Sequence, residues 1–216
     1  EVGLVQNFCT VISLGQGPAL LVDPAFEVDR LLRVLAAEAL VPAAVLITHG
    51  HPDHIDGVPE LLQRSGRPLP IYIGAADERP LRELCAQAGV SADVRPLAGD
   101  SALRLELGAA GLAVHALATP GHTPGGMCYH LPQAGALLSG DTLFVGSCGA
   151  SGPPAGDPRA LYRSLQRLLE LPEETRIYPG HDYGRTPTST IGWEREDNPA
   201  LRPADEGGFL RWLRRR

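Results

Sequence analysis

Apolar residues near the start of the chain follow two rhythms. Phe8 to Leu14 and Ala19 to Asp23 are apolar runs on either side of Gly15-Gln16-Gly17-Pro18, which predicts a hairpin. From Val28 the spacing becomes helical: Val28, Leu31, Leu32, Leu35 and Ala39 form one stripe, predicting a helix over Val28 to Leu40. Ala44 to Thr48 reads as a short strand that runs straight into a histidine-rich segment. Val58 to Gln63 begins another helix, Pro70 to Ile73 is a strand, and Arg79 to Ala88 a helix.

The middle of the chain changes character. Leu103 to Leu107, Leu112 to Ala118, Met127 to Leu131 and Ala136 to Leu138 are strand-like and separated by glycines and prolines, which suggests an antiparallel stretch. Ala160 to Leu171 is helical, Arg176 to Tyr178 is a last strand, and Gly207 to Leu213 a terminal helix. No repeat recurs, and Pro153-Pro154-Ala155-Gly156 is too short for a domain boundary. Residues 1–216 are therefore expected to form a single α/β or α+β domain, with sheets packed on each other and helices outside.

Composition narrows the function classes. A domain of 216 residues buries roughly 70% of the surface of its unfolded chain, so it needs no staples. No apolar run reaches membrane-spanning length; candidates such as Pro42 to Thr48 are strand-sized, and no membrane partner is expected. Glu1-Val2-Gly3 does not open a basic-then-apolar leader, so no signal peptide is expected. A net charge of −6 argues against a general nucleic-acid binder, and the 19 cations, all arginine, are scattered. Cys9, Cys85, Cys128 and Cys148 form no C-x-x-C pair, which disfavours a disulfide framework and a cysteine zinc site. Cys9, Cys85 and Cys128 read as buried small hydrophobes, and a cytoplasmic location is expected. Phe209, Trp212 and Leu213 make an apolar helical face. The arginines of Arg211-Trp212-Leu213-Arg214-Arg215-Arg216 are read as complementing the dipole at that helix's end.

The chemistry concentrates in Thr48-His49-Gly50-His51-Pro52-Asp53-His54, an H-x-H-x-D-H array between a strand and a helix. With seven histidines and twelve aspartates in the chain, composition alone produces such an array roughly 4 times in 10,000. The bland alternative is an exposed polar loop, with Asp53 and Asp56 capping the next helix. Three further segments argue against it. Thr119-Pro120-Gly121-His122-Thr123-Pro124-Gly125-Gly126, Ser139-Gly140-Asp141-Thr142 and Tyr178-Pro179-Gly180-His181-Asp182-Tyr183 each place an imidazole or carboxylate after a strand, beside a glycine. Imidazole and carboxylate together suit one or two divalent ions. His115 and His130 fall inside strands and read as packing or surface residues.

The ordered set His49, His51, Asp53, His54, His122, Asp141 and His181 resembles the metallo-β-lactamase superfamily, over Thr48 to Tyr183 and in the hairpin before it. The resemblance implies an αβ/βα sandwich of two mixed sheets with helices on the outer faces and the metals at one edge. By motif position, His49, His51 and His122 would hold one ion, and Asp53, His54 and His181 a second, with Asp141 bridging. It also implies one or two divalent ions, zinc first and iron or manganese as alternatives.

Within the superfamily, Gly140-Asp141-Thr142-Leu143-Phe144-Val145 with Cys148-Gly149 is similar to glyoxalase II, the hydroxyacylglutathione hydrolase. His181-Asp182-Tyr183, Ser189-Thr190-Ile191 and Asn198-Pro199-Ala200-Leu201 are similar to the persulfide dioxygenases. The first likeness implies a metallo-hydrolase acting on a thioester or related carbonyl ester through a metal-bridging hydroxide, with Asp53 and Asp141 as catalytic carboxylates. The second implies a mononuclear iron dioxygenase using His49, His122 and Asp141. The expected partner is a small molecule, such as a thiol conjugate. In both families basic or aromatic residues follow the Cys-Gly, but here the loop reads Ala150-Ser151-Gly152-Pro153-Pro154, without charge. Tyr183 and Arg185, beside His181, are the candidates for binding an anionic substrate group; the alternative is that they are surface residues.

Overall fold

The structure, a computed structural model, describes residues 1–105, 107 and 111–215. In chain order the elements are β1 (Thr10–Ser13), β2 (Gly17–Val22), α1 (Val28–Ala37), β3 (Leu40–Leu46), α2 (Pro52–Ile55), α3 (Val58–Ser65), β4 (Pro70–Gly74), α4 (Glu78–Gln87) and β5 (Asp93–Leu97). There follow β6 (Ser101–Leu105), β7 (Leu112–Ala118), β8 (Met127–Leu131), β9 (Ala136–Gly140), β10 (Leu143–Phe144) and β11 (Ser147–Cys148). The chain finishes with α5 (Pro158–Leu168), β12 (Arg176–Pro179), β13 (Ser189–Thr190), α6 (Ile191–Asp197) and α7 (Glu206–Leu213).

Two sheets result. One runs β1-β2-β3-β4-β5, antiparallel between β1 and β2 and parallel beyond. The other runs β13-β12-β9-β8-β7-β6, antiparallel except where β12 lies parallel to β9. Both are mixed, as the resemblance implies.

The two-residue period of a strand explains the layering. On β2, Ala19 and Leu21 pack with Val28, Leu31 and Leu35 of α1, while Leu20 and Val22 pack with Val114, Met127, Tyr129 and Leu138 of the other sheet. A third cluster lies on the second sheet's outer face, where Leu137 and Ile177 meet Leu161 and Leu165 of α5 and Phe209 of α7. The order is thus helices, sheet, sheet, helices.

Several boundaries differ from the sequence pattern. The helix predicted to reach Leu40 stops at Ala37, because Ala39 takes a left-handed φ of 53° and Leu40 joins β3, paired with Gly17. The histidine-rich segment is partly helical: Pro52–Ile55 is a short turn of helix with proline at its start. The strand expected over Leu103 to Leu107 is β6, ending at Leu105; Glu106 of that reading lies outside the described residues, as does Arg216 of the basic tail. The edge strand β5 has mostly exposed residues and contains Pro96, so it carries no apolar alternation to read. Cys85 and Cys128 are buried as expected, but Cys9 is only half-buried, packed against the first cluster. Among the described residues no helix is long and apolar enough to cross a membrane.

Candidate metal centre

Every residue of the histidine–aspartate set follows the end of a β-strand on one rim of the sandwich. His49 and His51 leave β3, and the short α2 carries Asp53 and His54. His122 lies in the turn after β7, Asp141 follows β9, and His181 follows β12. Glycines permit the convergence at two points. Gly140 adopts φ +48°, and a Cβ there would lie 2.6 Å from the Thr48 side chain. A Cβ on Gly180 would stand 2.3 Å from Asp141 Oδ1.

The seven side chains meet. His49, His51 and His122 present ligand atoms within 4.8 Å of one another, as do Asp53, His54 and His181. Asp141 lies between these groups, with Oδ2 3.5 Å from His122 Nε2 and 3.4 Å from His181 Nε2, and Oδ1 3.5 Å from His54 Nε2. The division into two triplets is not sharp, since His49, His54 and Asp141 form a third such group.

Outer hydrogen bonds decide which imidazole nitrogen faces the centre. His181 Nδ1 donates to the Val5 carbonyl at 2.8 Å, and His122 Nδ1 to the Ala150 carbonyl at 2.6 Å. His54 Nδ1 donates to Asp23 Oδ2 at 2.9 Å. Thr48 Oγ1 gives its proton to that same carboxylate, so it accepts from His49 Nδ1 at 3.1 Å. Each of these four rings therefore turns Nε2 inward, the arrangement that prepares imidazoles for metal. His49 Nε2 and His122 Nε2 both face His51 Nδ1, at 2.9 and 3.0 Å. His54 Nε2 faces His181 Nε2 at 3.3 Å. A single proton on His51 can bridge only one of its two neighbours, whereas a divalent cation satisfies three lone pairs together. Asp141 Oδ1 is buried and has no hydrogen-bond partner, which also fits a cation beside it. The donor set of imidazole and carboxylate thus fits divalent metal.

Proton affinities in the metal-free cluster follow from burial and charge. Burial, reinforced by the surrounding imidazoles, holds the His49 pKa well below the ordinary value. His51 is lowered by burial and then by His122. Burial also opposes a charge on His54, but Asp23, Asp141 and Asp53 outweigh it and lift its pKa to about 9. His181 is raised because its bond and charge interaction with Asp141 overcome burial. Asp141 is buried too, yet the His181 bond and the charges of His54, His181 and His122 hold it below the usual carboxylate range.

Three supporting residues were not singled out from the sequence. Asp23 accepts from Thr48 N, Thr48 Oγ1 and His54 Nδ1 at 2.7, 2.6 and 2.9 Å. Asp77 takes the Gly50 amide at 3.0 Å and the Gly125 amide at 2.8 Å, tying the loops of His51 and His122 together. Asn7 Nδ2 donates to the Asp53 carbonyl at 2.8 Å, and Asn7 bridges to His181 through the backbone. Asp23 and Asp77 come after buried apolar strands, β2 and β4, as Asp141 comes after β9, but that position alone does not tell an outer partner from a loop carboxylate.

The remaining candidates separate. Tyr183 stacks on His181, with centroids 4.6 Å apart and rings 7° from parallel, and Phe144 meets both rings edge-on. Arg185 instead lines a neighbouring cavity with Val145 and Trp193. His115 and His130 face each other across β7 and β8, with ring centroids 6.0 Å apart.

Comparison with known proteins extends these observations. Residues 2–181 match the family described as the Metallo-beta-lactamase superfamily. A probable polyketide biosynthesis zinc-dependent hydrolase, BaeB, of Bacillus velezensis is 32% identical over 84% of this chain and 76% of its own length. A hydroxyacylglutathione hydrolase of Alkalilimnicola ehrlichii is 40% identical over 85% of this chain, which spans only 64% of that protein. Among solved structures, ETHE1 from Myxococcus xanthus superposes with a TM-score of 0.80 at 29% identity, over 97% of this chain and 86% of its own. TTHA1623 in a di-iron-bound form superposes with a TM-score of 0.76 at 36% identity, over 93% and 98%.

Proposed function

The chain belongs to the metallo-β-lactamase superfamily, and on that footing we propose that it is a metal-dependent thioester hydrolase working with two divalent ions. The observation that carries the reading is Asp141, whose carboxylate lies within 3.5 Å of imidazoles from both triplets and has one buried oxygen without a partner. His49, His51 and His122 would hold one ion, and Asp53, His54 and His181 the other. Bound there, two such ions supply a Lewis acid and water acidified to near neutrality.

The chain's own groups do the rest. Asp141, held below the usual carboxylate range, stays ionised at neutral pH and keeps negative charge between the two triplets. Asp53 is the more exposed carboxylate, with 31% of its side chain accessible against 10% for Asp141, and beside its part in holding the second ion we assign it the orienting of the attacking water. Tyr183, stacked on His181 and 53% exposed, gives the mouth of the site a flat wall for the substrate. A thiolate leaves without a strong general acid, which suits a cluster whose rings all face the metal positions. Zinc is the metal we assign, as in the zinc-dependent hydrolase of Bacillus velezensis. A reducing cytoplasm is the compartment that suits four cysteines joined by no disulfide.

One observation favours a second reading. The ETHE1 superposition, together with the His181-Asp182-Tyr183 and Asn198-Pro199 segments, supports a mononuclear iron persulfide dioxygenase using His49, His122 and Asp141. Protein purified without added metal decides between them. The proposal expects two zinc ions per chain and thiol release from S-acyl thioesters. One iron per chain with oxygen uptake on glutathione persulfide replaces it by the second reading.

A further inference from the structure

The hairpin that touches the metal cluster also walls a cavity of about 890 Å³, within the range of small-molecule sites. Val145 and Gly146, between β10 and β11, form one side. Arg185, two residues beyond the Tyr183 that stacks on His181, forms another. A Cβ on Gly184 would come within 2.5 Å of Val145, so the two walls close on each other tightly.

Many arginines of this chain pair with carboxylates, as Arg159 and Arg163 do with Glu206 and Arg195 with Glu173, though Arg33 and Arg67 on other faces do not among the described residues. Arg176, Arg185 and Arg202 all line the cavity, and among the described residues none of their side chains has a hydrogen bond or ion pair. Glu194, 1% exposed, also lines it. Its Oε2 accepts from the Gly146 amide at 2.8 Å and from Asn198 Nδ2 at 2.7 Å, but its Oε1 is buried with no partner. Trp193 adds an apolar face, 61% exposed.

We infer that this cavity holds the thiol half of the substrate, with an acidic group on Arg185 and Arg202 and an amide or hydroxyl donor on Glu194 Oε1. The inference rests on the thioester reading and adds to it where the thiol carrier is recognised. Guanidinium groups bind carboxylate or phosphate through a planar fork, and a cluster of them free of internal partners is available for that bond. The buried Glu194 oxygen needs a donor, and the amides of a peptide-like or pantetheine-like thiol supply one. The loop Ala150 to Pro154, on the other side of Cys148, has no charge to offer an acid, so the arginines of the cavity take that part.

The test uses zinc-loaded full chain titrated with glutathione, coenzyme A and the neutral thiol N-acetylcysteamine, followed by tryptophan fluorescence. A Trp193→Phe variant establishes that the signal comes from the cavity. In an Arg185→Ala/Arg202→Ala double variant, affinity for the acid-bearing thiols falls about tenfold or more, and that for N-acetylcysteamine far less. The preference in kcat/KM for an acid-bearing over a neutral thioester falls in step. Loss confined to coenzyme A assigns the acid as phosphate, and loss confined to glutathione assigns it as carboxylate. Thioester hydrolysis with an unchanged preference in the double variant overturns the inference while leaving the hydrolase reading intact. Thiol binding that depends on the arginines, without hydrolysis of any thioester, upholds the inference and removes the hydrolase reading.

Discussion

The Asp23 carboxylate stands 2.9 Å from His54 Nδ1 and so turns His54 Nε2 toward Asp141 and His181. Asp23 takes a left-handed φ of 49°, a conformation that asparagine also tolerates. Asp23→Asn therefore keeps the backbone and removes the charge behind His54. Metal affinity should fall by roughly 10–100-fold, measured by competition with a chelator, with the fold unchanged by circular dichroism. Unaltered affinity would deny Asp23 its orienting role.

The same contact gives the metal-free protein a pH signature. His54 has a folded-state pKa of about 9 against an ordinary value of 6.5. A group whose pKa rises on folding stabilises the fold fully below its unfolded pKa and loses that contribution as pH climbs through the folded one. The Tm of chelator-treated protein should thus decline between pH of about 6.5 and 9, and Asp23→Asn should flatten the decline. Metal loading should also release protons near neutral pH, since His54 and His181, both raised, must give theirs up. A flat Tm over that window would contradict the charge pairing.

Gly180 offers a test that alters no polar group. A Cβ there would meet Asp141 Oδ1 at 2.3 Å and His54 Cε1 at 2.9 Å, so Gly180→Ala must displace the carboxylate or the ring. Metal content should drop below wild type at equal zinc concentration. Gly66→Ala is the contrasting case: its Cβ meets nothing within 4 Å, and the strain of φ +64° affects stability alone.

Asp141→Ala should cost more turnover than the roughly 10–100-fold expected for an outer partner of a ligand, because it removes a carboxylate that contacts imidazoles of both triplets. His115→Ala and His130→Ala, which touch each other across β7 and β8, should leave turnover near wild type. Initial rates on one thioester at saturating zinc rank the three variants.

Much of this was legible in the sequence because strand ends announce themselves. Leu137-Leu138 before Asp141 and Val45-Leu46 before His49 are buried runs that stop where the polar residue begins. The helical stripe from Val28 was equally plain, though its end was not. Ala39 has no side-chain feature that marks a left-handed turn, and only pairing of Leu40 with Gly17 fixes it. The outer partners were hidden for a different reason. Asp23 and Asp77 look like ordinary loop carboxylates until β2 and β4 are laid beside β3, which brings them to Thr48 and Gly50. Of the cavity arginines, Arg185 stood out beside His181, but Arg176 and Arg202 were hidden in the same way, since they share no period with it and line one cavity only once β12 and α6 are packed.

The most direct test of the two-metal account is the metal content of His181→Ala beside wild type. His181 belongs to the second triplet and contacts Asp141, but is no member of the group His49, His51 and His122. The account predicts two ions per chain in the wild type, and about one in the variant, with hydrolysis severely reduced. One ion per chain in both proteins would contradict it.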